Sequence, residues 1–88
     1  MTPRFSIVIP TYNRATSVSH TLSGCFAQTF ENFEVIVVDD GSSDNTLEVL
    51  DSIQDSRLVV VSQENAGPAA ARNAGMDAAS GEYIAFLD

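Results

Sequence analysis

Four short apolar runs constrain this chain more than any other feature: Phe5-Ser6-Ile7-Val8-Ile9-Pro10, Phe33-Glu34-Val35-Ile36-Val37-Val38, Arg57-Leu58-Val59-Val60-Val61 and Tyr83-Ile84-Ala85-Phe86-Leu87-Asp88. Their apolar, largely β-branched residues run on with little polar alternation, the pattern of strands buried on both faces. Such strands need cover above and below. A chain supplies that cover by threading helices between parallel strands.

The intervening segments read as those helices. Val18, Leu22, Cys25 and Phe26 mark one face of a helix from about Thr16 to Gln28, with Asn13 or Thr16 as its cap. Gly24 inside it costs about 1 kcal/mol against alanine, so a close packing contact is expected there. Leu47, Leu50 and Ile53 mark a second helix, capped by Ser43 or Asp44. Gly67 followed by Pro68 opens a third, Ala69 to Ala79, because proline suits the first helical position. Gly81 is its expected C-cap. Small alanine and glycine side chains should let this helix lie close to the sheet. The order βαβαβαβ with short connections predicts an α/β fold: a mostly parallel sheet with right-handed crossovers and helices on both faces. A four-stranded parallel sheet has two edges, so pairing of copies into a homo-oligomer through an exposed edge is a further expectation.

Charge narrows the partners. Twelve acidic residues stand against four arginines, with no lysine, for a net charge of −8. Neutralising a nucleic-acid backbone needs clustered cations, so nucleic acid is not expected as a partner. Anionic lipid is disfavoured for the same reason. The acidic surface reads either as a solvated coat or as adaptation to high salt. No apolar run approaches the roughly 18–20 residues of a membrane span. Met1-Thr2-Pro3-Arg4 lacks the features of a signal peptide, so a cytoplasmic location is expected. The single Cys25 cannot form an internal disulfide, and its place on an apolar helix face makes it core.

The polar residues gather where ligands usually bind. In an α/β sheet that is outside the carboxyl ends of the strands, near the point where strand order reverses. The first run leads into Pro10-Thr11-Tyr12-Asn13, the second into Asp39-Asp40-Gly41-Ser42, and the fourth delivers Asp88. Tyr12 could stack on a nucleobase or pack against the first helix. Asp39 and Asp40 are adjacent on an extended segment and point opposite ways. One can face the site while the other caps a turn; the bland alternative makes both turn-formers. Arg72 lies about one helical turn beyond Gly67, where a guanidinium and the helix N-terminus could together meet a phosphate or base edge. Its competing role is an ion pair, with Asp40 as one partner. Asp88 alone would hold a divalent cation weakly, since such ions take one or two carboxylates plus substrate phosphates. Asp44, Asp51, Asp55 and Asp77 read as capping or solvated acids, and His20 as a surface residue.

Taken together, several ordered motifs are similar to one known family over residues 5–88. They are Ser6-Ile7-Val8-Ile9-Pro10-Thr11-Tyr12-Asn13, Gln28-Thr29-Phe30, the stretch from Phe33 to Asp44, the stretch from Asn65 to Gly75, and the stretch from Gly81 to Asp88. The chain resembles the N-terminal, nucleotide-binding half of the family-2 glycosyltransferases, whose GT-A fold contains a Rossmann-like half. The resemblance implies transfer of a sugar from a nucleotide donor, most often UDP-linked, to a hydroxyl acceptor with inversion. It implies that Pro10, Thr11, Tyr12 and Asn13 border the nucleoside with Tyr12 against uracil, and that Asp40 accepts from the base. Asp39, Gly67 and Arg72 would belong to the same nucleotide site. Asp88 resembles the first acid of an Asp-X-Asp signature, touching ribose and helping to hold manganese or magnesium. On this reading residues 1–88 are one nucleotide-binding part, truncated within that signature, with the acceptor half and the catalytic base absent. The fragment alone is then not expected to turn over.

A non-catalytic nucleotide-binding or assembly module would keep the same site. A phosphoacceptor receiver domain would want a lysine and would place its acid pair after the first strand, so it fits poorly. A dinucleotide-binding domain would place a glycine-rich turn after the first strand, where Pro10-Thr11-Tyr12-Asn13 stands instead.

Overall fold

The computed structural model describes residues 3–28 and 32–87. Thr29, Phe30 and Asp88 therefore lie outside the described residues. The elements follow in the expected order: β1 (Phe5–Thr11), α1 (Val18–Phe26), β2 (Phe33–Asp40), α2 (Thr46–Asp51), β3 (Leu58–Gln63), α3 (Pro68–Ala78) and β4 (Tyr83–Phe86). The four strands form one sheet in the order β3-β2-β1-β4. Every neighbouring pair is parallel. The chain steps outward from β1 to β3 and then crosses back to the far side of β1. Strand order thus reverses between β1 and β4.

Period-two alternation divides β2 between two cores. Val35 and Val37 face α1 and α2 and pack with Ile9, Val18, Leu22, Cys25 and Leu50. Ile36 and Val38 face α3 and pack with Ala71. Helices therefore cover both faces, as the unbroken apolar runs require. α3 does approach the sheet closely. A Cβ on Gly75 would collide with Val8 and come within 3.3 Å of Val38. Cys25 is buried in the first core, and loss of solvation pushes its thiol pKa up, which suits packing and opposes nucleophilic chemistry.

Pro10 sits in β1 with strands on either side, a position that normally demands a backbone donor. The main-chain oxygen of Val8 accepts from the N–H of Leu87, so even-numbered β1 residues turn their polar groups toward β4. β4 pairs only with Phe5 to Val8, so the N–H that proline lacks falls past the end of that pairing.

Several local expectations are corrected. Neither Asn13 nor Thr16 caps α1; the cap position is Ser17, without a side-chain hydrogen bond. The Asn13 side chain instead accepts from the N–H groups of Ser43 and Asp44, at 2.8 and 3.3 Å, across the β2–α2 connection. The formal cap of α2 is Asn45, although Asp44 serves that helix by accepting the Thr46 N–H at 2.9 Å. Gly24 meets nothing within 4 Å, so no packing contact accounts for it. The C-cap of α3 is Ala79 rather than Gly81. Gly81 instead crosses close to β1, where its N–H donates to Ser6 Oγ at 2.8 Å. β4, expected to be buried, lies at the sheet edge paired with β1, and all four of its residues are exposed.

Candidate functional site

β1 and β2 end side by side, with Thr11 aligned to Asp39. The β3–α3 connection closes over their tips on the α3 side, and between them lies an open pocket of about 530 Å³. That volume falls within the roughly 300–1,000 Å³ of small-molecule sites. Pro10, Thr11, Tyr12, Asp40, Gly67 and Arg72 line it, so six of the nine candidate residues converge here. Asn13 and Asp39 do not line it, and Asp88 is outside the described residues. Arg14, Asn65, Pro68 and Ala71 also line the pocket and were not anticipated.

The two adjacent aspartates divide their work as strand alternation predicts. Both are nearly inaccessible, at 3% for Asp39 and 5% for Asp40. Asp39 turns to the α1–α2 side and accepts from the Ser42 hydroxyl. Ser42 Oγ in turn accepts the Asn13 N–H at 2.9 Å. Asn13, in the left-handed region at φ 51°, returns the link through its contacts to Ser43 and Asp44. Asp39 and Asn13 thus bind the first two strand tips together beside the pocket.

Asp40 turns to the α3 side and organises the pocket wall. Its Oδ1 accepts from Gln63 Nε2 at 2.9 Å and from the Ala66 N–H at 2.8 Å. Its Oδ2 accepts from the Gly67 N–H at 3.0 Å and from Asn65 Nδ2 at 3.3 Å. Asn65 Nδ2 also donates to the Asp40 main-chain oxygen at 2.9 Å. A carboxylate offers about four acceptor positions, and here protein donors fill all of them. The Gln63 amide, then the Ala66 N–H with help from Gly67, outweigh desolvation and hold the carboxyl below its usual range. Gln63 was not anticipated from the sequence; the β2–β3 register makes it the direct partner of Asp40.

Gly41 makes this wall possible. It adopts φ +70°, and a Cβ there would lie 2.6 Å from the Asn65 nitrogen. Only glycine admits both the turn and the approach. Opposite the wall, Tyr12 is 48% exposed, leaving its ring face available to a planar ligand. Arg14 and Arg72, two of the chain's four arginines, border the same hollow. A pocket with an aromatic, two guanidiniums and a helix N-terminus suits a base carrying phosphates. Among the described residues no group of three His, Cys, Asp or Glu could hold a metal ion, so these residues do not by themselves fit a metal site.

Comparison with known proteins points the same way. Residues 6–88 match the model of glycosyl transferase family 2. An uncharacterized glycosyltransferase of Haemophilus influenzae is 40% identical over 89 residues, covering 98% of this chain and 36% of that protein. Among solved structures, S. aureus TarS 1–349 in complex with UDP-GlcNAc superposes with a TM-score of 0.89 and 36% identity, over 97% of this chain and 26% of that one. The mannosyltransferase PcManGT from Pyrobaculum calidifontis, in complex with GDP-Man and Mn2+, superposes with a TM-score of 0.85 and 31% identity, over 96% and 26% respectively. The chain spans 36%, 12% and 14% of the lengths of the first three curated relatives. The fold is accordingly part of a GT-A fold.

Proposed function

Since this chain belongs to glycosyl transferase family 2, we propose that it is the donor-binding part of a glycosyltransferase and takes a uridine diphosphate sugar in the pocket between β1, β2 and α3. The observation that carries this reading is the convergence of Tyr12, Asp40, Gly67 and Arg72 on one hollow from three separate chain segments. The UDP-GlcNAc complex of TarS supports a uridine donor over the guanosine donor of the mannosyltransferase, given the higher identity to TarS.

In this reading Tyr12 supplies a stacking face for uracil. Arg72 and Arg14 face the phosphates, where charge builds on the departing diphosphate. The Asp40 carboxylate can only accept, so it favours a base edge whose N–H takes the place of one of its four protein donors. Asp39 and Asn13 act from beside the pocket by fixing the strand tips. A divalent cation, manganese or magnesium, belongs to the reading through Asp88 and finds support in the Mn2+ of the mannosyltransferase. When bound, such an ion would neutralise diphosphate charge. Inverting transfer to a hydroxyl acceptor, with the base outside residues 1–88, completes the proposal, together with a cytoplasmic location. No helix among the described residues is long and apolar enough to cross a membrane.

Isothermal titration with UDP tests the donor pocket. Removing the ring in Tyr12→Ala should weaken binding by about 1–3 kcal/mol, the usual value of base–aromatic stacking. Asp51→Ala, exposed at the end of α2, should bind as the unsubstituted chain does. Equal behaviour of the two variants would displace the pocket from this site.

A further inference from the structure

We propose that Gln63 is a positioning residue for nucleotide recognition: from behind the pocket wall it holds one edge of the Asp40 carboxylate so that the other edge can be handed to an incoming base. The inference rests on the donor-site reading above and concerns a residue that does not itself line the pocket. Three of the four donors to Asp40 come from the connection that the pocket shares, namely Asn65, Ala66 and Gly67. Gln63 alone comes from the sheet, as the last residue of β3 and the register partner of Asp40. Strand pairing gives it a fixed origin, and its amide reaches Oδ1 at 2.9 Å.

The opposite edge is held differently. Asn65 Nδ2 reaches Oδ2 at 3.3 Å, the longest of the four contacts, while keeping a 2.9 Å bond to the Asp40 main-chain oxygen. A ligand N–H can therefore take the Oδ2 position without Asn65 losing its anchor. For that exchange the carboxylate must not rotate, and Gln63 opposes the rotation. Its donation also favours the charged, accepting form of Asp40, lowering its pKa below the ordinary value. The other titratable side chains bordering the pocket are Tyr12, Arg14 and Arg72. Asp39 lies on the opposite face of β2 bound to Ser42, and Glu64 is exposed on the connection.

Two substitutions in the whole chain test this, each titrated with UDP across about pH 5 to 8.5 beside the unsubstituted protein. Gln63→Met keeps the length and removes the donor; affinity near neutral pH should fall about threefold to tenfold, the net effect of losing one ordinary hydrogen bond. Gln63→Glu sets a carboxylate against a carboxylate, so affinity at about pH 8 should fall more than about tenfold. It should recover on acidification, as the new carboxyl takes up a proton it can donate to Asp40. The urea midpoint of Gln63→Glu is followed over the same range, and a residue that only supported the fold would lose affinity only where that midpoint shows the chain unfolded. A Gln63→Glu profile parallel to that of the unsubstituted chain, or Gln63→Met binding at full strength, would overturn the inference alone. Absence of UDP binding by the unsubstituted chain would overturn the donor-site reading and the inference with it.

Discussion

Glu34 and Asp40 stand on the same face of β2 and hold opposite ends of α3. At the amino end of the helix, Asp40 Oδ2 accepts the Gly67 N–H at 3.0 Å. Past its carboxyl end, Glu34 Oε2 accepts the Ser80 N–H at 2.7 Å and the Ser80 hydroxyl at 3.0 Å. Ser6 adds a 2.6 Å bond to the same Glu34 oxygen, joining β1 to the clasp. Between the two acids Ile36 and Val38 pack on Ala71. One strand face thus seats the helix with apolar contact and fixes both its ends with carboxylates, which places Arg72 and the Gly67 turn over the pocket.

This arrangement makes stability acid-sensitive. Burial alone would raise the Glu34 pKa, but hydrogen bonds from Ser6 and Ser80 together bring it below its ordinary 4.5. Asp40 is likewise below its ordinary 3.8, chiefly through Gln63. Groups with lowered folded pKa values contribute stability above the unfolded values and lose it as pH falls through the folded ones. The urea midpoint should therefore begin to drop as pH falls below 4.5 and continue dropping below 3.8. Glu34→Gln should flatten the upper part of that fall. A midpoint that rises on acidification through this range would contradict the clasp.

Two helical glycines should respond oppositely to alanine. At Gly75 an added methyl meets Val8 and Val38, and overpacking of this kind costs about 1–3 kcal/mol. At Gly24 the methyl meets nothing within 4 Å, so the intrinsic helix preference for alanine should stabilise by up to about 1 kcal/mol. Chemical denaturation of both variants checks the pair.

Much of the architecture was legible because apolar runs on both faces of a strand leave few alternatives. The order of elements follows from it, and the close seat of α3 from that helix's small side chains; Tyr12, Asp40, Gly67 and Arg72 were assigned to one site only through the family resemblance, and of that assignment Asp88 lies outside the described residues. The role of Asn13 was not legible. A local rule assigns an asparagine there to the nearest helix start, whereas its side chain crosses to Ser43 and Asp44, far along the chain. Gln63 escaped notice for a similar reason: its bond to Asp40 depends on β2–β3 register, which a reading of single segments does not supply. β4 was misread because an apolar run signals burial only where helices cover its faces: β3, the other edge strand, packs against α2 and α3 and is half-buried, whereas β4 packs chiefly on β1.

Gly41 and Gly67 offer a graded test of the pocket wall. Both have positive φ, at 70° and 97°, and Gly67, with ψ 168°, lies in a region kept almost wholly for glycine, so alanine is strained at each by about 1–3 kcal/mol. Only at Gly41 would the added carbon also strike backbone, 2.6 Å from the Asn65 nitrogen. Gly41→Ala should accordingly lower thermal stability more than Gly67→Ala. It should also weaken UDP binding more, by displacing Asn65. Equal losses would mean that the wall tolerates movement.

The account is tested most directly by following backbone amide resonances of the chain during titration with UDP. Saturable shifts should appear at Tyr12, Asp40, Gly67 and Arg72, while Glu34 and Ser80 at the other end of α3 stay unmoved. Shifts gathered at Glu34 and Ser80, or none that saturate, would contradict a uridine site at the carboxyl ends of β1 and β2.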